Sequence, residues 1–173
     1  AYCDAQIGRL IDYLEENHLR QNTLVIFTSD HGQQYFDHGF NDKHNWYDES
    51  WRIPLVTSMP GTLPAGETRE FAIWNDITTT ILGAAGATCP SMQGFDLFSP
   101  LCQGKDSPRT CAVATVYKSC ALATRKWKLE YYIEEGEGRL FDWINDPHEQ
   151  NDLYHNPQHA AVRSAMILAL HVA

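Results

Sequence analysis

Apolar and polar positions alternate along the chain in two different rhythms, and the rhythm changes near residue 110. In residues 2–18, Ile7, Leu10, Ile11 and Leu14 fall at i, i+3, i+4 and i+7, while Arg9, Asp12, Glu15 and Glu16 take the opposite side. That spacing predicts an amphipathic helix. Burying such a stripe is worth roughly 1.5–3 kcal/mol per side chain, so the helix is expected to lie on a sheet. Asn17-His18 and Gln21-Asn22 mark the turn out of it. Leu24-Val25-Ile26-Phe27 is an unbroken apolar run and reads as a buried strand, expected to be parallel to its neighbours; Ile53-Pro54-Leu55-Val56 starts a second run. Residues 59–66 are a loop by Pro and Gly content, and Phe71-Ala72-Ile73 is a short apolar run. A further helix is predicted from Trp74, with Asn75 or Asp76 as N-cap. Ile77, Ile81, Leu82 and Ala85 form its core face, and Gly86 stops it.

Residues 99–109 (SPLCQGKDSPR) read as a connector, and the pattern then changes. Residues 112–117, 121–124, 127–132 and 140–143 are short segments with partial period-two alternation, and Gly136 and Gly138 suit a hairpin. They predict a small antiparallel sheet. Pro157 opens a terminal helix with Ala161, Met166, Leu168 and Leu170 as apolar surface. The expected class is α/β, divided into an α/β part over 1–102, a linker over 103–109, and a sheet-plus-helix subdomain over 110–173.

Composition changes this picture little: 173 residues, 43% hydrophobic and 20% charged, describe an ordinary globular domain with a core. No apolar run approaches the roughly 20 residues that span a bilayer. The chain begins at Ala1 without a Met and reads as entered inside a longer polypeptide. Charge is more informative. A net charge of −9 without a basic patch argues against nucleic acid as a partner. It would also repel an anionic substrate unless a local cation overcame the field. The five cysteines (Cys3, Cys89, Cys102, Cys111, Cys120) show no CxxC spacing, which argues against a structural zinc site. Their odd number leaves at least one thiol free within this chain.

The candidate chemistry sits between the two apolar runs of residues 24–56. Asp30, His31 and Gly32 follow the first strand, where open α/β sheets place their ligand crevices. A carboxylate beside an imidazole suits a divalent metal. Gly32, with no Cβ, permits a sharp turn or close approach. Lys43 follows thirteen residues after Asp30 as a point charge for an anionic oxygen. Asp37, His38 and His44 are candidates for contact with the ion or the substrate. Trp46 and Trp51 are expected to pack, and Arg52 to pair with Glu49.

The order of these residues is specific. Phe27-Thr28-Ser29-Asp30-His31-Gly32, then Asp37-His38-Gly39, Lys43, and Tyr47-Asp48-Glu49-Ser50-Trp51-Arg52-Ile53-Pro54 resemble the sulfatase family of the alkaline phosphatase superfamily. Further matches are the helix around Ile77 to Gly86, Met92-Gln93-Gly94-Phe95-Asp96-Leu97, and Asp146-Pro147 with Glu149 and Asn151-Asp152-Leu153. The resemblance covers nearly the whole chain as the C-terminal portion of such an enzyme. It implies the C-terminal part of an alkaline-phosphatase-like fold and a metal-dependent sulfuric ester hydrolase. In that reading Asp30 and His31 are metal ligands and Lys43 binds the sulfate oxygens, while His38 and His44 stay candidates for substrate contact by residue type. Calcium is the favoured cation. His31 stands where many members have Asn, and its imidazole leaves manganese or zinc open. The family's formylglycine arises from Cys-X-Pro-X-Arg, and none of the five cysteines has that context, so the nucleophile is expected upstream. The chain alone is expected to be inactive. The substrate would be a sulfated small molecule or carbohydrate, and the resemblance favours a periplasmic or secreted location over a cytoplasmic one. A phosphonate monoester or phosphodiester hydrolase of the same superfamily, or a non-catalytic metal-binding fragment, are the alternative readings.

Overall fold

The computed structural model describes residues 2–171. The chain forms two compact units, each built from non-contiguous stretches.

The first unit takes residues up to Ser29, with Pro54–Arg69 and Asn75–Ser107. Helix α1 spans Tyr2–Glu16 as the periodicity predicts. None of its residues is buried, and Ile7 and Leu10 of the apolar side are exposed. The expected burial on a sheet is therefore not met within this chain. The reason lies in the sheet itself. Strand β1 (Val25–Thr28) pairs with β4 (Leu55–Ser58) in a ribbon of two strands, too narrow to cover a helix face. The pairing is antiparallel, from Val25 opposite Ser58 to Thr28 opposite Leu55, which corrects the parallel arrangement expected for β1. The chain leaves β1 and returns along β4, so the partner it meets runs the other way. Arg20 anchors the ribbon by donating to the Ser58 carbonyl (3.3 Å) and hydroxyl (2.5 Å).

Helix α3 runs Trp74–Ala84, and Gly86, at φ +67°, follows it. Asn75 and Asp76 lie inside the first turn and do not cap it. Asp76 is fully buried and accepts from the Phe95 N–H (2.8 Å), and the Thr80 hydroxyl accepts from the Leu97 N–H (3.0 Å). Both side chains thus tie α3 to the segment after it, with Gly94 so close that a Cβ would lie 2.0 Å from the Asn75 oxygen. Residues 71–73 form no strand. Helix α4 (Phe98–Cys102) takes the first residues of the Pro- and Ser-rich connector, and residues 103–109 have no regular structure.

The second unit holds Asp30–Ile53, Glu70–Trp74 and the chain from Pro108. Its frame is an antiparallel meander: β5 (Ala112–Val116), β6 (Ser119–Ala123), β7 (Trp127–Tyr132) and β8 (Glu137–Asp142), in that order. Gly136, at φ +68°, makes the last turn. One face carries Leu122, Leu129 and Leu140, paired across the strands and buried against Tyr154 and Met166. Met166 comes from helix α5 (Ala160–Leu170), which is entered through a turn where Asn156 accepts from the Gln158 N–H. Alternation sends Ala121, Ala123, Lys128, Glu130, Arg139 and Phe141 to the other face. All of these except Arg139 are buried, so both faces of the sheet are covered, and the second by something other than α5. That cover is the loop between β1 and β4: Trp46 donates its indole N–H to Ser119 Oγ (3.0 Å), and Tyr47 packs 5.8 Å from Phe141.

Candidate functional site

The loop Asp30–Ile53 carries the sequence-predicted site. Gly32 is its pivot. Its N–H donates to the Ser50 carbonyl (2.8 Å), and a Cβ here would lie 2.0 Å from the Glu49 carbonyl oxygen. The glycine serves close approach to the short helix α2 (Asp48–Trp51), whose backbone it meets.

Asp30 and His31 are held by backbone contacts on either side. The Asp30 carbonyl accepts from the Trp74 indole (3.2 Å), and its carboxylate accepts from the His31 N–H (3.0 Å). The His31 ring lies with Nδ1 2.6 Å from the Gly32 carbonyl oxygen. A carbonyl only accepts, so Nδ1 carries the proton and the ring lone pair is on Nε2. Nε2 lies 3.3 Å from Asp30 Oδ2 and 2.6 Å from Lys43 Nζ, which donates to it. One carboxylate oxygen, one unprotonated imidazole nitrogen and one ammonium therefore converge, with the Asp30 side chain 80% exposed. The oxygen and nitrogen donors fit a divalent cation, and the tautomer is the one a ligating Nε2 requires.

Lys43 reaches this point because the chain doubles back. Strands β2 (Gln34–Tyr35) and β3 (Asn41–Asp42) pair in a minimal hairpin, with Gln34 opposite Asp42. Positive φ is taken between the strands at Phe36 (72°), His38 (53°) and Gly39 (77°), and within β3 at Asp42 (98°). Gln34 is fully buried and accepts from the Asn45 amide (2.5 Å), which pins the base of the hairpin.

The structure places the other two candidate histidines as follows. His38 stacks on Tyr47 (3.8 Å, 7° between planes) and lies 3.5 Å from Glu49 Oε2. His44 lies 3.7 Å from Asp42, both exposed. Arg52 pairs with Asp48 (3.8 Å), one turn back on α2, and not with Glu49. Trp46 is buried and meets Trp51 edge-on (5.8 Å), as packing residues do.

Sequence reasoning missed a second charged cluster. Lys128 and Glu149 are almost completely buried, with Lys128 Nζ 2.5 Å from Glu149 Oε1 and 3.1 Å from Asp48 Oδ1. Glu130, also buried, accepts from Arg139 (3.1 Å) and from the Tyr132 hydroxyl (2.6 Å). Burial, then the bond to this carboxylate, raises the Tyr132 pKa well above its ordinary value. The available signal was period-two spacing: Lys128 and Glu130 alternate with Leu129 and Tyr131, the pattern of a strand whose polar side faces water. Here both sides are buried.

Known proteins resemble this chain in sequence and in fold. The sequence pattern of the family described as Sulfatase matches residues 1–87. An N-acetylglucosamine-6-O-sulfatase of Bacteroides thetaiotaomicron is 30% identical over 96% of this chain and 33% of its own length. The solved structure of BT4656 with its substrate D-glucosamine-2-N,6-O-disulfate superposes with a TM-score of 0.87 at 30% identity, over 97% of this chain and 37% of that one. A phosphonate monoester hydrolase of Agrobacterium radiobacter gives a TM-score of 0.84 at 25% identity, over 98% of this chain and 39% of that one. The chain thus spans about a third of the length of the relatives it matches, and its fold is the C-terminal part of the alkaline-phosphatase-like fold of sulfatases. The family match over half of the chain, and a relative sharing nearly all of it, lead to one conclusion: this chain belongs to the sulfatase family.

Proposed function

We propose that this chain forms the C-terminal part of a metal-dependent sulfuric ester hydrolase and supplies one side of its catalytic site. The observation that carries the reading is the convergence of Asp30 Oδ2, His31 Nε2 and Lys43 Nζ. Asp30 and His31 are the residues that would hold the cation. Membership of the family implies a divalent cation. Calcium is the proposed ion, with manganese or zinc as alternatives favoured by the imidazole nitrogen. When bound, such an ion stabilises negative charge on the oxygens of the transferring group. Lys43 adds a preorganised ammonium for a non-bridging sulfate oxygen. Together they offset locally the field of a chain carrying net charge −9.

The formylglycine nucleophile is proposed to come from outside this stretch, since no cysteine here has the required context. The proposed substrate is a sulfate monoester of a small molecule or carbohydrate, supported by the sulfated sugar bound to BT4656. The site would then be extracytoplasmic, in the periplasm or outside the cell. Phosphonate or phosphodiester cleavage is the second reading, supported by the likeness to the phosphonate monoester hydrolase.

Two measurements test this. In the full-length gene product, Asp30→Ala should lower the metal content found by elemental analysis, and unchanged stoichiometry would sink the ligand assignment. Residues 1–173 expressed alone, with calcium, manganese or zinc, should not turn over an aryl sulfate. Turnover within a factor of about ten of the full-length protein would refute the reading, because a missing nucleophile and incomplete metal shell account for far more. A faster rate on a phosphodiester than on an aryl sulfate would favour the second reading.

A further inference from the structure

The loop and the second face of the β5–β8 sheet meet through a buried ion pair. Lys128 is 0% exposed and the Glu149 side chain 1%. Three donors converge on Glu149: Lys128 Nζ (2.5 Å) and the Trp143 indole N–H (2.6 Å) on Oε1, and the Asp48 backbone N–H (3.0 Å) on Oε2. Lys128 also contacts Asp48 Oδ1, and its ammonium lies 5.1 Å from the ring centres of both Trp51 and Trp143. The ligand atoms of His38, Glu49 and Glu149 lie within 4.8 Å of one another, a spacing that a metal would accept. The Lys128 ammonium provides positive charge at Glu149.

The pair acts on α2. The first N–H groups of a helix have no partner within it, and Tyr47 gives α2 no side-chain cap. Glu149, 101 residues away in sequence, accepts the first of them, and a carboxylate at this end also suits the helix dipole. The carbonyl ends of α2 then hold the dyad: Ser50 accepts from the Gly32 N–H, and Glu49 stands against the Gly32 Cα. The Gly32 carbonyl accepts from His31 Nδ1 and leaves the lone pair on Nε2. The path is short: Lys128, Glu149, Asp48, Ser50, Gly32, His31.

We propose that Lys128 and Glu149 are positioning residues for the Asp30–His31 dyad, setting the seat of α2 and through it the tautomer and aim of His31. Apolar side chains of similar volume could fill the same space, and buried ion pairs are often no more stabilising than such a filling. What the pair adds is direction, since hydrogen bonds fix α2 at one height and greasy contacts do not. The inference rests on the reading of Asp30 and His31 as metal ligands.

The test compares three forms of the full-length gene product: wild type, E149Q, and the double variant K128M/E149M. The double variant guards against misfolding, because exchanging a whole buried pair is tolerated where removing one charge is not. Two readouts are taken: the imidazole ¹⁵N signals of His31 without metal, and Mn²⁺ binding by titration. Both variants are expected to melt cooperatively, E149Q at a lower temperature because Lys128 keeps only Asp48 as its partner. Their His31 signals should move from the single Nδ1–H tautomer toward a mixture, and Mn²⁺ affinity should fall about 10–100-fold, as for other residues that orient a ligand. A folded variant with the wild-type His31 signal and unchanged Mn²⁺ affinity overturns the proposal. So does a double variant that fails to fold, because the pair would then serve the fold itself. A wild type that shows the His31 signature and binds Mn²⁺ but cleaves no sulfate ester refutes the proposed function and leaves this inference standing.

Discussion

Lys43 and Lys128 belong to the same compact unit and stand in opposite circumstances. Lys43 is exposed just after a two-residue-per-strand hairpin, and its partner is the ring nitrogen Nε2 of His31. Lys128 is wholly buried on the sheet, between two indole rings, with two carboxylates on its ammonium. An ammonium bonded to a single ring nitrogen at the surface gives up that partner readily when an anion arrives. One enclosed with two carboxylates has no such freedom, since taking either charge away leaves the other buried and unpaired. Sequence shows two lysines, each close to an acidic residue and an aromatic one. Only their burial separates an exposed ammonium that can exchange its partner from one enclosed between two carboxylates.

The sharpest way to break this contrast is to remove each ammonium in turn. Lys128→Met should cost about 3–5 kcal/mol of stability, the usual result of leaving a buried charge without its partner. Chemical denaturation of the full-length protein would measure it, and a loss below about 1 kcal/mol, as for an exposed pair, would place Lys128 with Lys43. Lys43→Ala should do the reverse. Loss of one preorganised donor lowers kcat by about 10²–10³, with the melting temperature nearly unchanged. A variant that melts far earlier, or keeps full activity, would contradict the assignment.

Asp142 supplies a smaller, graded test of the buried side. It ends β8 just before Trp143 and the turn that leads to Glu149. Burial works to raise its pKa, but bonds from the Asn145 side chain (2.9 Å) and N–H (3.2 Å), the Lys126 ammonium 3.6 Å away and the Ile144 N–H (3.1 Å) lower it on balance. A carboxyl held below its ordinary value stabilises the fold above that value, about 3.9, and the contribution is lost as pH falls through the lowered pKa. Asp142→Asn should therefore lower the melting temperature at neutral pH, and the gap from wild type should close in acid. A gap that persists below about pH 2 would show that shape, not charge, is what matters there.

Much of this was legible in the chain. The helical periods at Ile7–Leu14 and Ile77–Leu82 gave α1 and α3, and the short alternating runs after residue 110 gave the meander. Asp30, His31 and Lys43 could be singled out because ligand chemistry leaves few residue types to choose from. Other features were read wrongly for identifiable reasons. Asp76 has the composition of a cap, but its carboxylate is drawn inside by the Phe95 N–H. Arg52 has acidic residues at three and four positions back, and helix geometry brought the one four back within 3.8 Å.

The sequence by itself determined where α1, α3, α5 and the β5–β8 meander lie but not α2, α4 or the β2–β3 hairpin, and it also determined which family the chain resembles and which three side chains have the chemistry for a cation and an anion. Local periodicity and residue type suffice for that, because each depends on neighbours a few positions away. Tertiary structure alone decided that Lys43 returns to His31, that the His31 lone pair is on Nε2, and that Glu149 caps a helix 101 residues earlier. The first two depend on how the backbone of the loop turns back on itself, and the third on two groups far apart in the chain meeting where little water reaches. No spacing in a sequence records which side of a strand will be covered, or by what.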